Sequence, residues 1–176
     1  MNDTVFLIPL TNQLNAISDP YWAKRSCAIC SLKMVMDFKS RILRRISAEE
    51  LLTRGLATHS YDRNFGWKHD TLIELAAAYR IPLGRDFYKS ERRDEGIQNL
   101  EENLKNHKPV IASVFFQFDK SKGGHLVVLN GYRANGNGIE GYHVQDPDPR
   151  FRGNNYFVSK EEFLDNWRGG LLWSKD

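Results

Sequence analysis

Hydrophobic positions in the first half of the chain recur with the spacing of α-helices. The densest run covers residues 27–38, where apolar side chains occupy more than one helical face, so a central and largely buried helix is predicted there. The Ser26 hydroxyl is expected to cap its first turn. The same periodicity predicts three further helices, at residues 47–55, 69–80 and 94–107.

The ends of these helices carry typical boundary signals. Ser47 and Glu50 have the spacing of a capping box, and Gly55 is expected to end the helix that they begin. Asp70 is expected to cap the next helix, and Pro82 follows its end.

After Pro109 the pattern changes to β-branched and aromatic runs separated by Gly/Asn turns. These runs predict strands at residues 110–118, 125–134 and 139–147, with "RANGNG" as a hairpin turn. A second capping box precedes a short helix near residue 160, and "LLWS" (171–174) is expected to close the sheet. Near the start, "VFLIPL" (5–10) predicts a short strand or extended segment. The sequence therefore predicts one α+β domain over residues 1–176, with a helical N-terminal half packed on a C-terminal antiparallel sheet.

The composition and net charge of the chain limit the kinds of molecule that it is expected to bind. The 176 residues are 41% hydrophobic and 27% charged, and the net charge is only +3, which is ordinary for a globular protein. The one dense basic segment, Arg41 to Arg45, has apolar residues interleaved, so nucleic acid is not favoured as a partner. No apolar run reaches the ~18–20 residues of a membrane span, and the acidic N-terminus does not resemble a signal peptide. We expect a cytoplasmic protein with no membrane partner, or a secreted one if the N-terminus has been trimmed. The oligomeric state is left open.

The chain has two cysteines, Cys27 and Cys30, at C-x-x-C spacing. A structural zinc site needs about four Cys or His ligands, but no second cysteine pair follows and the five histidines are dispersed. A redox pair is expected in a βαβ frame, which this sequence lacks. No metal or cofactor is therefore predicted. Two buried structural thiols remain an alternative to a nucleophile.

The position of Cys27 favours the nucleophile. It is expected in the first turn of a buried helix, where free backbone N–H groups and the helix dipole stabilise a thiolate. Cys30 lies one turn further in and is expected to be an inert core residue. The two thiols are thus predicted to differ in reactivity.

A nucleophilic thiol needs a base, and the base needs an orienting acceptor. "GGHLVVLNGY" places His125 at the start of a strand, after two glycines that allow a close approach by another element. Asp146 ends the next strand, 21 residues later, so adjacent antiparallel strands can bring the two side chains together. We therefore predict a Cys27–His125–Asp146 triad. His143 falls on the opposite strand face and is expected to be a surface or packing residue, while the remaining histidines are expected to be solvated: His59, His69 and His107.

Acyl transfer also needs donors for the developing oxyanion. The backbone N–H of Cys27 is one candidate, and the side-chain amide of Gln13 is the other. Asn12 and Asn15 are alternatives to Gln13.

In this order, the motifs resemble the papain-like cysteine peptidases of the bacteriocin-processing, double-glycine-leader type, and most of all their stand-alone relatives without a transporter domain. The resemblance rests on the cysteine at the helix start, "GGHLVVLNGY" and "VQDP", and it is supported by "DPYW", "FGWKHDTLIELAAAYRIPL" and "KPVIASV". The resemblance implies a papain-like fold, a peptide or protein substrate, and an oxyanion-hole glutamine matching Gln13 in "IPLTNQ". Two departures are Ala28, where the family usually has glycine, and the 14-residue separation of Gln13 from Cys27.

The predicted reaction is cleavage of a peptide bond through an acyl-thioester on Cys27. Two alternatives stay open: an acyltransferase or transglutaminase-like enzyme with the same triad, and a non-catalytic peptide-binding module that kept the fold. Four aromatic residues of the N-terminal half are expected in loops that could line a cleft: Trp22, Tyr61, Phe65 and Trp67.

Overall fold

The computed structural model describes residues 2–175 and contains seven α-helices in that range. Six of them precede the main part of the sheet. Their bounds are α1 Gln13–Ala16, α2 Pro20–Ala23, α3 Cys27–Lys39, α4 Ala48–Ala57, α5 His69–Ala77, α6 Arg93–Lys105 and α7 Lys160–Asn166. Short 3-10 turns lie at Arg41–Arg45, Ser90–Arg92 and Phe116–Phe118. None of the helices within residues 2–175 has the length and apolarity needed to cross a membrane.

Seven strands form one antiparallel sheet in the order β4-β9-β5-β6-β7-β8, with β1 paired to the second half of β6. A separate two-stranded hairpin, β2–β3, lies between α4 and α5. The strand bounds are β1 Asn2–Val5, β2 Tyr61–Asp62, β3 Gly66–Trp67, β4 Leu83–Phe87, β5 Val110–Phe115, β6 Gly124–Asn135, β7 Gly138–Gln145, β8 Asn155–Ser159 and β9 Trp167–Ser174.

The predicted α+β architecture is confirmed: the buried helix α3 packs on the sheet at β6, and the three predicted strands are the adjacent strands β5, β6 and β7. The predicted hairpin turn joins β6 to β7, with Asn135 opposite Gly138. The first strand lies at Asn2–Val5, so the predicted segment 5–10 overlaps it only at Val5. The predicted last strand, "LLWS", belongs to β9, which lies in the sheet between β4 and β5.

Besides the hairpin β2–β3, two strands of the main sheet were not predicted from the sequence. The strand β4 contains Gly84, Arg85 and Asp86, whose low β-propensity hides it. Its pairing with β9 compensates, because both strands gain a full ladder of backbone hydrogen bonds there. The other missed strand, β8, is only five residues long and pairs with β7 at the sheet edge.

Helix ends differ from the predictions where a tertiary contact intervenes. Ser47 and Ser159 cap α4 and α7 as predicted, but the Ser26 hydroxyl donates to the Trp22 carbonyl instead of capping α3. The helix α4 continues through Gly55 to Ala57, and the absent side chain of Gly55 leaves room for the Trp67 ring. The N-cap of α5 is the residue before His69 and not Asp70.

Candidate active site

Cys27 is the first residue of α3, and two hydrogen bonds hold the helix start in position. Ser31, one turn further along, donates from its hydroxyl to the Leu126 carbonyl over 3.0 Å. Residues four apart lie on the same helical face, so this bond turns the Cys27 face toward the start of β6. The Trp67 indole N–H donates to the Arg25 carbonyl at 2.6 Å and anchors the chain just before the helix.

His125 and Asp146 meet because β6 and β7 are neighbours in the sheet. Val128 pairs with Gln145, so the start of β6 lies beside the residue that follows the end of β7. The His125 Nε2 and Asp146 Oδ1 atoms are 2.7 Å apart, and both side chains are buried. The other ring nitrogen, Nδ1, is thereby left for the Cys27 side chain, which interacts with the imidazole by charge and hydrogen bonding. The structure thus brings Cys27, His125 and Asp146 together.

The Asp146 carboxylate is held by three donors. Besides His125, it accepts hydrogen bonds from the Tyr156 hydroxyl at 2.9 Å and from the Asp148 backbone N–H at 2.8 Å. Burial, followed by the charge of Asp146, raises the pKa of Tyr156 far above its usual value, so this hydroxyl stays a donor. Tyr156 lies on β8, the strand that the sequence pattern did not reveal.

The charges around His125 favour the protonated form of its imidazole ring. Burial by itself would lower the pKa of His125, because it disfavours the charged form. The negative charges and hydrogen bonds of Cys27 and Asp146 outweigh burial and raise the pKa of His125 to about 10. The arrangement therefore favours an imidazolium at His125 beside the Cys27 sulfur.

Gln13 is buried and lies against the segment that follows Asp146. Its backbone N–H donates to the Pro147 carbonyl at 2.9 Å, and its side-chain Nε2 donates to Asp148 Oδ2 at 3.2 Å. The Oε1 atom of the same amide has no partner among the described residues. Gln13 and its two alternatives are all absent from the lining of the Cys27 cleft: Asn12 caps α1 with its side chain, and Asn15 is exposed.

Asp148 is a buried residue that the sequence analysis missed. Its carboxylate accepts from Gln13 and from the Arg150 guanidinium, whose Nε lies 2.8 and 3.1 Å from the two oxygens. Burial would raise the pKa of Asp148, but the hydrogen bonds and charge of Arg150, with a smaller effect of His125, hold it below its usual range. The repeated "DPDP" (146–149) was the available signal: its first aspartate contacts His125 and its second contacts Gln13.

Cys27 and His125 line a cleft of about 480 Å³ that is open to solvent. Three of the four predicted aromatic residues, Tyr61, Phe65 and Trp67, line it, and the Phe65 side chain is 88% exposed at the tip of the β2–β3 hairpin. Trp22 packs behind them, with its ring centroid 5.1 Å from that of Tyr61. His69 also lines this cleft and is half-buried, so the expectation that it is solvated was wrong. Burial, with smaller effects of nearby arginines, lowers its pKa.

Cys30 and His143 lie as the sequence predicted. Cys30 is fully buried, and this burial strongly raises its thiol pKa. His143 is half-buried away from the cleft, where it contacts Asp3 and the Phe157 ring. Within residues 2–175, no group of His, Cys, Asp or Glu side chains is arranged to hold a metal ion.

Comparisons with known proteins agree with this architecture. A protein from Bacillus anthracis described as a C39-like peptidase superposes with a TM-score of 0.69 at 17% identity, over 100% of this chain and 98% of that one. A double glycine motif protease from an AMS/PCAT transporter, solved in complex with a leader peptide, has a TM-score of 0.61 at 18% identity over 97% and 93%. The peptidase domain of Streptococcus ComA has a TM-score of 0.58 at 17% identity over 87% and 93%.

At these identities the structural likenesses show the fold, which is the papain-like α+β fold of C39 peptidases. A comparison with curated proteins finds no significant match. The sequence itself is more specific: residues 6–169 match the family described as "Peptidase_C39 like family". The chain therefore belongs to the peptidase C39-like family.

Proposed function

We propose that this protein is a cysteine peptidase that cleaves a peptide bond through a thioester on Cys27. The observation that carries the proposal is that Cys27 and His125 line one cleft of a C39-like fold, with Asp146 bound to His125 behind it. A nucleophile, a base and an acceptor that orients the base are the minimum set for thiol-dependent acyl transfer.

In this reaction the Cys27 sulfur attacks the carbonyl carbon of the scissile bond while His125 holds the thiol proton. The imidazolium then gives that proton to the leaving amine, and the carbon–nitrogen bond breaks to leave the acyl-thioester. A water molecule, deprotonated by His125, attacks the thioester and releases the carboxylic acid. Asp146 keeps the ring oriented throughout and stabilises its charged form.

Gln13 is proposed to supply one donor to the oxyanion, with the Cys27 backbone N–H as the other. A primary amide has two N–H bonds, and the hydrogen bond to Asp148 uses one of them. The second N–H is then available for the oxyanion. Asp148 is proposed as a positioning residue, because its carboxylate fixes the side chain of Gln13 without needing to touch the substrate.

The substrate is proposed to be a peptide or an unfolded segment of a protein. The cleft is open at the surface and has aromatic walls, which suits an extended chain. One neighbour of the same fold is a protease solved with a leader peptide, which supports a peptide ligand for this fold.

The proposal is tested by thiol labelling and peptide cleavage together. Wild type, Cys27→Ala and Cys30→Ala are treated with iodoacetamide and analysed by intact-mass spectrometry, and each is incubated with a diverse peptide pool. We expect Cys27→Ala to lose both labelling and cleavage, whereas Cys30→Ala retains both because Cys30 is buried. Labelling confined to Cys30, or cleavage that survives in Cys27→Ala, contradicts the proposal.

Added amines separate hydrolysis from acyl transfer. If a primary amine at millimolar concentration converts most product into its amide, the acyltransferase alternative is favoured. Alkylation of Cys27 with the pH dependence of an ordinary thiol, and no cleavage or transfer of any peptide, favours the binding module.

A further inference from the structure

The cleft around Cys27 and His125 is lined by an excess of positive charge. Four cationic side chains face it, namely Lys24, Arg25, Arg150 and Arg168, against the single carboxylate of Asp148. The chain as a whole has a net charge of only +3, so a large share of its uncompensated charge lies around one cleft.

These four cationic side chains differ in their interaction partners. Arg150 is paired with Asp148, so the two charges largely cancel. Arg25 donates to the Tyr21 carbonyl and stacks over the Tyr21 ring, and it has no carboxylate partner among the residues that the structure describes. Lys24 and Arg168 form no ion pair within residues 2–175, and both are exposed. The Arg168 guanidinium lies over the Phe115 ring, 5.6 Å from its centroid, which leaves its charge without a carboxylate among these residues. The cleft therefore has three cations available to an incoming anion.

Arg168 lies closest to the start of the histidine strand. A side-chain carbon added at Gly124 would overlap the Arg168 guanidinium, at 1.8 Å from its nearest nitrogen. Gly124 immediately precedes His125, so its missing side chain is what lets Arg168 approach the site. The two glycines of "GGH" do allow a close approach, as the sequence predicted, and the approaching group is this side chain.

The pKa of His69 reflects the same excess of positive charge. This imidazole lines the cleft, and its pKa is lowered by burial first and then by the charges of Arg85 and Arg168. A neutral His69 neither adds to nor offsets the cationic groups.

We propose that the cleft recognises a carboxylate on the peptide close to the scissile bond, with Arg168 as its main partner and Lys24 and Arg25 as flanking charges. This inference rests on the proposed peptidase function and names its substrate class: an acidic peptide. A guanidinium with no carboxylate partner presents a planar set of donors that matches a carboxylate in two hydrogen bonds. Three like charges around one cleft also attract an anionic chain before it binds.

The alkylation of Cys27 provides a test that does not require a known substrate. Iodoacetate and iodoacetamide react with the same thiolate by the same displacement, but only iodoacetate carries a carboxylate. The ratio of their rate constants therefore cancels any change in the amount of thiolate and reports the field at Cys27. We expect Arg168→Gln to lower the iodoacetate/iodoacetamide ratio about two- to fivefold, the range of one partly exposed ion pair. Added salt should lower the wild-type ratio as well.

Arg44→Gln is the matched control, because Arg44 is an exposed arginine of the 3-10 turn at Arg41–Arg45 and does not line the cleft. It removes the same charge from the chain and should leave the ratio unchanged. An equal ratio in wild type and Arg168→Gln, or an equal fall in Arg168→Gln and Arg44→Gln, overturns the proposal.

A second experiment identifies whether the cleft recognises a side-chain carboxylate or the C-terminal carboxylate of the peptide. Peptide pools are prepared with Glu or Gln at each position, and each pool has either a free or an amidated C-terminus. Selective cleavage of the Glu pools with amidated ends supports recognition of an acidic side chain, and selective cleavage of free-ended pools supports recognition of the terminal carboxylate. Preference for neutral, amidated pools overturns the inference. If no pool is cleaved but the alkylation ratio responds to Arg168→Gln, the peptidase proposal fails while the anion-binding cleft stands.

Discussion

The side-chain amide of Gln13 lies 3.2 Å from the carboxylate of Asp148, and both residues are buried beside the candidate triad. The backbone N–H of the same aspartate donates to Asp146 at 2.8 Å. One short segment, "DPDP" (146–149), therefore contains the proposed orienting acid, Asp146, and contacts the proposed oxyanion donor, Gln13, through Asp148. This connection explains how Gln13 can serve the site although it lies 14 residues before Cys27 in sequence.

The oxyanion proposal predicts that Gln13→Ala lowers peptide cleavage about 10²- to 10³-fold, the usual loss for one oxyanion donor. The rate of iodoacetamide labelling of Cys27 should stay near that of wild type, because alkylation forms no oxyanion. The measurement compares the cleavage and labelling rates of one preparation. A parallel fall in both rates would indicate that Gln13 only supports the local structure.

The positioning of Gln13 predicts a graded effect at Asp148. Asp148→Asn keeps an oxygen that can accept from Gln13, whereas Asp148→Ala removes it and leaves Arg150 without its partner. We expect cleavage to fall more in Asp148→Ala than in Asp148→Asn, with labelling largely retained in the asparagine variant. Equal cleavage by Asp148→Ala and wild type contradicts the positioning role.

The raised pKa of His125 predicts a measurable pH dependence. In NMR titrations, the His125 ring should remain protonated until the pH approaches 10, and its pKa should fall in Cys27→Ala, which lacks the negative sulfur. Because the folded-state pKa exceeds the unfolded value of about 6.5, the stabilisation is fully present below pH 6.5 and is lost as the pH rises toward 10.

The free energy of unfolding provides the second measurement of this effect. It should decline between pH 6.5 and 10 more steeply in wild type than in Cys27→Ala. Identical pH profiles in the two proteins would show that the sulfur does not hold the proton on His125.

The contact between α3 and β6 predicts that Ser31→Ala impairs the site without destroying the fold. Loss of the buried bond to the Leu126 carbonyl should cost about 1 kcal/mol in the free energy of unfolding. Because the bond orients the Cys27 face, labelling of Cys27 should slow too. Ser90→Ala, at an exposed serine outside the cleft, is the control. It should leave the free energy of unfolding and the labelling rate of Cys27 unchanged. A Ser31→Ala protein with wild-type labelling would contradict the orienting role.

The pairing of β1 with β6 predicts a strong difference between two glycines of the same hairpin. An added side-chain carbon at Gly131 would lie 2.1 Å from the Thr4 carbonyl oxygen, whereas nothing lies within 4 Å of the same position at Gly136. Gly131→Ala should therefore push β1 off the sheet and lower the free energy of unfolding by about 1–3 kcal/mol. Gly136→Ala should change it little. Chemical denaturation measures both, and equal stability of the two variants would contradict the close approach.

The local sequence pattern determined much of this protein. Periodicity predicted α3 and the three adjacent strands, because amphipathic spacing reflects which face is buried. The separation of Cys27 from Cys30 also followed from sequence, because one is at a helix start and the other a turn inside. The single domain over residues 1–176, the cytoplasmic location and the catalytic roles stay predictions.

Tertiary structure decided what depends on residues far apart in the chain. The Ser26 hydroxyl donates to the Trp22 carbonyl instead of capping α3, and Gly55 lies inside α4, where the Trp67 ring fills the space beside it. The strand β4 forms despite its polar sequence because β9 pairs with it. The contacts of Asp148 and the place of Arg168 beside Gly124 likewise arise only when distant segments pack, since hydrogen bonds and charge pairs over long sequence separations leave no periodic signal.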